Sequence, residues 1–351
     1  MKKAGVFFLW GLSTFCTAQN TILLTGLNHV TDKNSCYQPT PAVVKHPEKN
    51  QVLFQSTDGG TTWTDLSKGV PDGLEVSQLV VKNNDVYIST LNGKLYHTTV
   101  VEKGTWDVQN LEGKINDSYI INIIDTKKGL YTLVANQGLF KQVKGTDTWK
   151  HINGELSSAT FFMLKENSEG DLLAACDLGI FLSKDEGLTW KQSYSESWAN
   201  SIVGYSNVWL AYSAKGIIRS VDNGHTWSCV LEEVAANFKL DVLDGYFVAM
   251  RQTVPYHSKN LNYSYLTVSK DEGATWTETG TGKPTDQKIF DLEKMDNYLF
   301  SSRASGISRS SDMGNTWQLL ISTPYIAGPP AQFEIVISNS TLYAVLKRGG
   351  C

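Results

Sequence analysis

The sequence predicts an all-β fold from its composition, from one recurring octapeptide and from the spacing of that octapeptide. The chain of 351 residues contains 29 Gly and 10 Trp, and no stretch after Ala18 has the 3.6-residue period of an amphipathic helix. The octapeptide returns about every forty residues, which is the length of a four-stranded propeller blade. Seven copies at this spacing, five complete and two reduced, predict a seven-bladed β-propeller.

The octapeptide, called the box below, has the pattern S-x-D-x-G-x-T-W and occurs five times without a mismatch. Its Asp and Trp residues are Asp58 and Trp63, Asp185 and Trp190, Asp222 and Trp227, Asp271 and Trp276, and Asp312 and Trp317. Two reduced copies, which end at Trp106 and Trp149, keep the final Thr-Trp and lack the aligned Asp. These two fill the gap between the first and second full copies, so that seven Trp residues mark seven blades.

Each box has the composition of a tight turn that joins two strands. The Asp side chain is placed to accept hydrogen bonds from backbone N–H groups, and the Gly permits a positive φ angle. The Trp is suited to covering apolar surface between adjacent sheets. Because one Asp falls in each blade, the carboxylates are too widely separated to form one catalytic or calcium site. The box is therefore interpreted as structural.

The strand pattern between the boxes also indicates how the ring closes. Short β-rich runs separated by a Gly turn, such as 129–135 and 138–140, are typical of hairpins. Only one such run, 51–55, precedes the first box, whereas the runs 333–337 and 341–346 follow the last one. We expect these segments to share one blade, in which N-terminal and C-terminal strands pair and leave no open sheet edge.

The N-terminus has the pattern of an export signal. Two lysines precede the apolar stretch 4–15, and small residues follow, so residues 1–18 are predicted to be a signal peptide cleaved after Ala18. A short membrane anchor is the alternative. Residues 19–48 are assigned to an N-terminal extension and 49–351 to the propeller. The mature chain is expected to lack a stable membrane span and to be periplasmic, attached to the cell surface or extracellular.

Cysteine usage is compatible with export but does not define a disulfide scaffold. Four cysteines follow the predicted signal peptide. Cys36 and Cys351 are candidates for a bridge between the two termini, near the predicted seam of the ring. Cys176 lies in an apolar run and is expected to be a buried free thiol.

Charge and motif content exclude several classes of function. The formal net charge is −4, which argues against a general nucleic-acid binder. The sequence has no Gly-rich phosphate loop and no Gly-x-Ser-x-Gly motif. None of the six His has metal-ligand spacing to another His or to a Cys. No cofactor and no metal are predicted.

Candidate binding residues come from the loops between second and third strands, which cluster at one mouth of a propeller channel. Adjacent blades contribute mostly cations there, with one insertion at 252–264. The candidates are Lys215, Arg251, Tyr256, His257, Arg303, Lys347 and Arg348. Arginine forks suit carboxylate and phosphate groups, so an anionic peptide, a protein segment or an acidic glycan is the expected partner. Ordinary solvated loop cations are the alternative.

The box resembles the Asp-box, or BNR repeat, over residues 50–351. This resemblance implies a β-propeller with its boxes between third and fourth strands, away from the face that usually carries ligands. Proteins with this repeat include sialidases, xyloglucan-cleaving hydrolases, sortilin-type receptors and photosystem II assembly factors. Sialidases have an Arg-Ile-Pro motif near the start of the domain. In this chain that motif is missing, and the first arginine is Arg219.

The xyloglucan-cleaving enzymes place paired carboxylates between two propellers, and a single propeller does not form such a cleft. The sequence therefore predicts an exported, non-catalytic propeller that binds proteins or peptides or acts as an assembly scaffold. A sialidase-like or other glycoside hydrolase is the alternative, and a pair of convergent carboxylates at the mouth would favour it.

Overall fold

The computed structural model describes residues 51–99, 104–113, 118–152, 159–232, 236–253, 264–278, 289–312, 316–323 and 331–347. Regular structure in these residues consists of 29 β-strands, and they contain no helix. Accordingly, none of them forms a helix that is long and apolar enough to cross a bilayer. The predicted signal peptide, the N-terminal extension, Cys36 and Cys351 lie outside the described residues.

The strands form seven small sheets, which we number as blades 1 to 7. Blade 1 contains β1 (Leu53–Ser56), β2 (Thr64–Asp65), β28 (Gln332–Ser338) and β29 (Thr341–Lys347). Blade 2 contains β3 (Val76–Lys82), β4 (Asp85–Thr90), β5 (Leu95–Thr99) and β6 (Asp107–Val108). Blade 3 contains β7 (Asn110–Leu111), β8 (Ile120–Thr126), β9 (Gly129–Val134), β10 (Gly138–Gln142) and β11 (Thr148–Ile152).

The remaining four blades each follow the chain in order. Blade 4 contains β12 (Phe161–Glu166), β13 (Leu172–Cys176), β14 (Gly179–Ser183) and β15 (Lys191–Tyr194). Blade 5 contains β16 (Ala199–Tyr205), β17 (Val208–Ser213), β18 (Gly216–Ser220) and β19 (Ser228–Glu232). Blade 6 contains β20 (Ala236–Leu243), β21 (Tyr246–Thr253), β22 (Ser264–Ser269) and β23 (Thr277–Glu278). Blade 7 contains β24 (Ile289–Met295), β25 (Tyr298–Arg303), β26 (Gly306–Ser310) and β27 (Gln318–Ser322).

The seven sheets form a seven-bladed β-propeller, as the sequence predicts. Blade 1 has the strand order β2-β1-β29-β28, with antiparallel pairs such as Phe54 with Ala344. The N-terminal and C-terminal strands thus share one blade, which confirms the predicted closure. The strand nearest the axis, called the inner strand, is β28 in blade 1, β8 in blade 3 and the first strand of every other blade, and inner strands of adjacent blades contact each other.

The hydrophobic core consists of layers between adjacent blades. One cluster combines Leu133 and Leu139 of blade 3 with Leu164 and Leu172 of blade 4, and Trp190 packs against it. The same arrangement places each full-box Trp against the preceding blade. Cys176, which is buried in the blade 3–4 cluster, is a free thiol as expected.

Box turns are held by a repeated set of hydrogen bonds, which the second full box illustrates. Asp185 Oδ1 accepts from the backbone N–H of Thr189 at 2.8 Å, and Oδ2 accepts from its hydroxyl at 2.6 Å. The Ser183 hydroxyl donates to Asp185 Oδ1 and accepts from the N–H of Gly187. Gly187 has φ +93°, and a Cβ there would lie 2.5 Å from Leu139 Cδ2 of blade 3. Both the turn conformation and the blade contact therefore require glycine.

Candidate functional site

Three of the predicted mouth residues have described side chains, and intramolecular contacts hold all three. Lys215 forms an exposed ion pair with Glu196, and this pairing raises its pKa. Lys347 Nζ lies 3.3 Å from Glu334 Oε2. The positive charges of both lysines are therefore matched by carboxylates of the chain itself.

Arg303 lies against the face of its own blade. Its guanidinium carbon is 5.0 Å from the centroid of the Trp317 ring, and its Nε donates to Ser301 Oγ at 3.0 Å. Burial lowers the pKa of this side chain. Since Trp317 precedes β27 at the box end of the blade, the guanidinium points back along the strands and away from the mouth.

The remaining mouth candidates are Arg251, Tyr256, His257 and Arg348. Arg251 pairs through its backbone with Phe238 and Tyr265 within blade 6. Tyr256, His257 and Arg348 lie outside the described residues. The ligand-binding role of the mouth therefore stays a prediction.

The two arginines that precede full boxes lie at the opposite end of the ring. Arg219 Nε donates to the carbonyl of Glu272, in the box of blade 6. A terminal nitrogen of Arg309 donates to the carbonyl of Gly59, in the box of blade 1, at 2.7 Å. These guanidinium groups join adjacent blades, so they are not placed to clamp a substrate carboxylate in the channel.

The channel contains an ionic cluster that the sequence analysis missed. It consists of charged side chains from four inner strands and from the mouth end of β29: Lys165, Lys239, Asp241, Asp291, Glu293, Glu334 and Lys347. Lys165 of blade 4 interacts electrostatically with Asp241 of blade 6 and Glu293 of blade 7, although these blades are not its neighbours. The side chains therefore share one interior space.

Asp291 is the structural centre of this channel cluster. Its Oδ1 accepts from Lys239 Nζ at 2.8 Å, and its Oδ2 accepts from the backbone N–H of Ile335 at 2.9 Å. Lys239 also donates to the carbonyl of Phe290 at 2.9 Å. One carboxylate thereby joins the inner strands of blades 6, 7 and 1. The Lys239 side chain keeps 41% of its accessible surface and the Asp291 side chain only 9%, as expected for a pair beside a water-accessible channel.

Burial and excess negative charge shift the protonation of the channel carboxyls. Burial raises the pKa of Glu293 to about 8, and the charges of Asp291 and Asp241 act in the same direction. Burial also raises the pKa of Asp241 and that of Glu334. For Lys239, burial alone would lower the pKa, but the charges of Asp291 and Asp241 outweigh it and the pKa is raised. Glu293 is thus largely protonated at pH 7, next to a lysine that stays charged.

We expect Glu293→Gln to change the pH dependence of stability. Because the folded state holds the Glu293 proton up to about pH 8 and the unfolded state releases it near 4.5, the native protein loses stability as pH rises between these values. The variant lacks this loss, so its stability advantage over the native chain should be about 4 kcal/mol larger at pH 8.5 than at pH 5. Urea unfolding at both pH values measures the difference. An equal difference at the two pH values would contradict the shifted pKa.

A cleft between blades 2 and 3, called the lysine cleft below, is the second candidate. It has a volume of about 920 Å³ and lies at the box end of the ring. Its wall contains six lysines and two aspartates: Lys82, Lys127, Lys128, Lys141, Lys144 and Lys150, with Asp85 and Asp147. These residues come from the turns that follow β3, β8 and β10 and from the adjacent strands. The cleft is thus strongly basic on an acidic protein.

Some cleft lysines have partners and two do not. Lys82 pairs with Asp125, and both Lys128 and Lys141 pair with Glu186 of the neighbouring box. Lys144 and Lys150 are exposed, and neither side chain has an ion pair or hydrogen bond within the part of the chain that is described. These two lysines leave uncompensated positive charge at the cleft.

Two stacked aromatic rings form part of the cleft wall. The Tyr87 and His97 rings stack with centroids 4.6 Å apart, and His97 Nε2 lies 2.9 Å from Asp85 Oδ1. Both rings line the cleft. A volume of this size is within the range of pockets that hold a small ligand or a few side chains of a bound segment.

The sequence contains a signal for each site, but neither is a contiguous motif. In the channel cluster, charged residues alternate with apolar ones inside inner strands, as in Lys239-Leu240-Asp241 and Asp291-Leu292-Glu293. Charged positions with period 2 in a strand face a shared space. The lysine cleft depends on turns that are separated by about forty residues, which approach only because adjacent blades are in register.

Comparisons with known proteins support the fold and leave the family open. No protein-family profile matches the chain, and no curated protein matches it. Among solved structures, the extracellular domain of the putative one component system BT4673 from B. thetaiotaomicron has a TM-score of 0.57 at 13% identity. The match covers 85% of this chain and 42% of that one.

Two further solved structures have the same fold and differ in what their names state. YCF48 bound to D1 peptide has a TM-score of 0.59 at 13% identity, over 86% of this chain and 99% of that one. An ancestral GH74 enzyme has a TM-score of 0.57 at 13% identity, over 81% of this chain and 43% of that one. The chain thus spans less than half the length of the BT4673 domain and of the GH74 enzyme. At these identities the similarity shows the seven-bladed β-propeller fold alone.

Proposed function

We propose that this protein is a non-catalytic binding scaffold, and that an acidic peptide segment of its partner binds in the lysine cleft. One observation carries the proposal: six lysines and two aspartates line one concave cleft on a chain whose net charge is −4. A basic surface of this kind attracts acidic segments and orients them before contact. The chemistry of the partner agrees with the sequence analysis, but the site lies at the other end of the ring.

The contacts of the cleft explain how such a segment would be held. Lys144 and Lys150 supply free positive charge at the rim, where pairing with a partner carboxylate has little desolvation cost. The partly exposed His97 ring, held flat against the buried Tyr87 ring, offers a contact surface to the body of the segment. At the mouth, by contrast, Lys215 and Lys347 already have carboxylate partners.

Two of the structural comparisons are consistent with this role. A propeller of this fold has been solved with a peptide, YCF48 bound to D1 peptide. The BT4673 match is an extracellular domain. Together with the N-terminal pattern, these neighbours support the proposal that the chain is exported and meets its partner outside the cytoplasm.

The test measures binding of fluorescein-labelled decapeptides from a positional-scanning library by fluorescence anisotropy. We expect peptides with several Asp or Glu residues to bind the native chain, with an affinity that falls as salt is added. The double variant Lys144→Glu/Lys150→Glu should weaken binding about 10-fold or more. The matched control Lys191→Glu/Lys270→Glu makes the same charge change at exposed lysines outside the cleft. It should bind like the native chain.

The same assay separates the cleft from the mouth. The pair Lys215→Glu/Arg251→Glu reverses charge at the mouth, whereas Arg303 is unsuitable because its side chain stacks on Trp317. If Lys215→Glu/Arg251→Glu loses binding while Lys144→Glu/Lys150→Glu keeps native affinity, the lysine cleft is not the binding site and the mouth residues are favoured. If no acidic peptide binds, peptide binding at both sites is wrong.

A glycoside hydrolase is the second candidate, because the channel brings several carboxyls together. The Glu293 carboxyl group makes no hydrogen bond within the described residues, and a carboxylic acid with a pKa of about 8 suits a general acid. Both oxygens of Asp291, however, are engaged by Lys239 and Ile335, so this carboxylate is held as a structural link. Turnover of chromogenic glycosides or of a fluorogenic sialoside, lost in Glu293→Gln, would establish the enzyme and overturn the non-catalytic assignment.

A further inference from the structure

Three side chains with metal-binding atoms meet at the seam between blades 4 and 5. Glu169 and Asp171 belong to the turn between β12 and β13, and His225 belongs to the box of blade 5. One carboxylate oxygen of each acid and one imidazole nitrogen all lie within 4.8 Å of one another. The Nε2 atom of His225 is 3.8 Å from Oε2 of Glu169.

The turn that contributes both acids differs from its counterparts. It has five residues, 167–171, whereas each of the other six blades joins its two innermost strands through two residues. The side-chain oxygen of Asn167 accepts from the backbone N–H groups of Glu169 and Asp171 at 3.0 and 2.8 Å. These bonds fix the backbone from which both carboxylates project.

The same turn is docked on the box that contributes His225. Asn167 Nδ2 donates to the carbonyl of Asn223 at 3.0 Å, and the Ser168 hydroxyl donates to Asn223 Oδ1 at 2.7 Å. Asn223 Nδ2 in turn donates to Glu169 Oε1 at 2.8 Å. Since His225 follows Asn223 by two residues, these hydrogen bonds hold the turn that contains both acids against the box segment that contains His225.

The burial of Asp171 is a second observation, separate from the grouping of the three side chains, that points to a bound cation. The residue is only 8% exposed, and its buried Oδ2 has no hydrogen-bond partner. The nearest cation, Lys184 Nζ, is 3.8 Å from that oxygen, and the Lys184 side chain is 64% exposed. A buried carboxylate oxygen without a donor is costly, and coordination of a cation removes that cost.

We propose that Glu169, Asp171 and His225 bind a divalent zinc ion at the blade 4–5 seam. One imidazole nitrogen with two carboxylate oxygens suits zinc better than calcium or magnesium, which prefer oxygen ligands alone. Zinc bonds of about 2.0–2.2 Å place ligand atoms about 3.3 Å apart, so the partly exposed Glu169 and His225 need only small rotations to close on the ion. The other full boxes have Thr61, Leu188, Ala274 and Asn315 at the His225 position, so this seam alone has the imidazole.

The experiment is calorimetric titration of the tag-free, chelator-treated chain with zinc chloride. We expect a site that takes one zinc ion per chain in the native protein and a loss of affinity of about 100-fold or more in His225→Ala. His151→Ala is the matched control, because it removes an exposed imidazole that is outside both the zinc ligands and the wall of the lysine cleft. It should keep native zinc affinity.

Thermal unfolding gives a second readout. Only the folded state brings the three zinc ligands together, so zinc binds the folded state alone. A zinc concentration 100-fold above Kd should therefore raise the midpoint of thermal unfolding by about 3–5 °C. This rise should vanish in His225→Ala and in Asp171→Asn. Circular dichroism of each variant verifies that it is folded. Native zinc affinity in folded His225→Ala, or equal affinity for calcium, would overturn the site.

Discussion

Removal of residues 332–351 is expected to abolish the folded ring. This segment contains β28 and β29, the two strands of blade 1 nearest the axis, whose Phe333, Leu342 and Leu346 are almost fully buried. Without it β1 loses its partner strand, and blades 7 and 2 lose the surface between them. Total stability of a domain is only about 5–15 kcal/mol, which is less than the apolar burial lost with a hairpin of this size. Circular dichroism and size-exclusion chromatography should show an unfolded or aggregated chain.

Two controls make this result specific. Removal of 348–351 alone spares both strands, so under reducing conditions, which open any Cys36–Cys351 bridge, this shorter deletion should keep the native fold. A synthetic peptide of residues 331–347, added to the longer deletion during refolding, should restore the sheet by occupying the position next to β1. If the longer deletion folds as a stable monomer without the peptide, closure by these strands is not required.

Asp291→Ala is expected to cost about 2–3 kcal/mol of unfolding free energy. The change leaves Lys239 charged in the channel without its partner and leaves the N–H of Ile335 without an acceptor. Because these contacts join three blades, the loss should appear as a lower urea midpoint for the whole ring. The double variant Lys239→Met/Asp291→Leu, which removes both charges, should recover most of the stability.

A surface pair provides the control for the channel pair. Lys82 and Asp125 also join adjacent inner strands, but the Asp125 side chain is 42% exposed, whereas that of Asp291 is 9% exposed. Asp125→Ala should therefore cost no more than about 1 kcal/mol. Equal losses in Asp291→Ala and Asp125→Ala would show that the channel pair is not more important than a surface ion pair.

The fold could be predicted because its determinants are local. Each box contains its own hydrogen-bond set, as Asp185 with Thr189 shows, so the octapeptide alone indicates the turn. The spacing of the boxes gives the number of blades, and the unmatched runs at the two ends give the closure. None of these steps needs knowledge of how one blade lies against the next.

The candidate sites could not be predicted in the same way, because they depend on side-chain direction and on contacts between blades. Arg303 is at the expected position in the chain, but its guanidinium stacks on Trp317, an outcome that packing decides. In the proposed zinc site, His225 meets Glu169, which lies 56 residues earlier in the chain. The extra length of the turn that contains Glu169 is visible in the sequence, but the docking of this turn on the box of blade 5 is not. Spacing rules for His and Cys do not detect such a set.

The composite blade 1 also has a consequence for the kinetics of folding. Blades 2 to 7 each contain four consecutive strands joined as hairpins, to which the short β7 adds in parallel in blade 3, so they can form early through contacts that are close in sequence. Blade 1 instead needs β1 to meet β29, across a loop that contains all the other blades, and Gln55 bonds to Tyr343 over 288 positions. Ring closure should therefore be the slow, rate-limiting event, and the species that accumulates before it should have six formed blades and one unpaired strand.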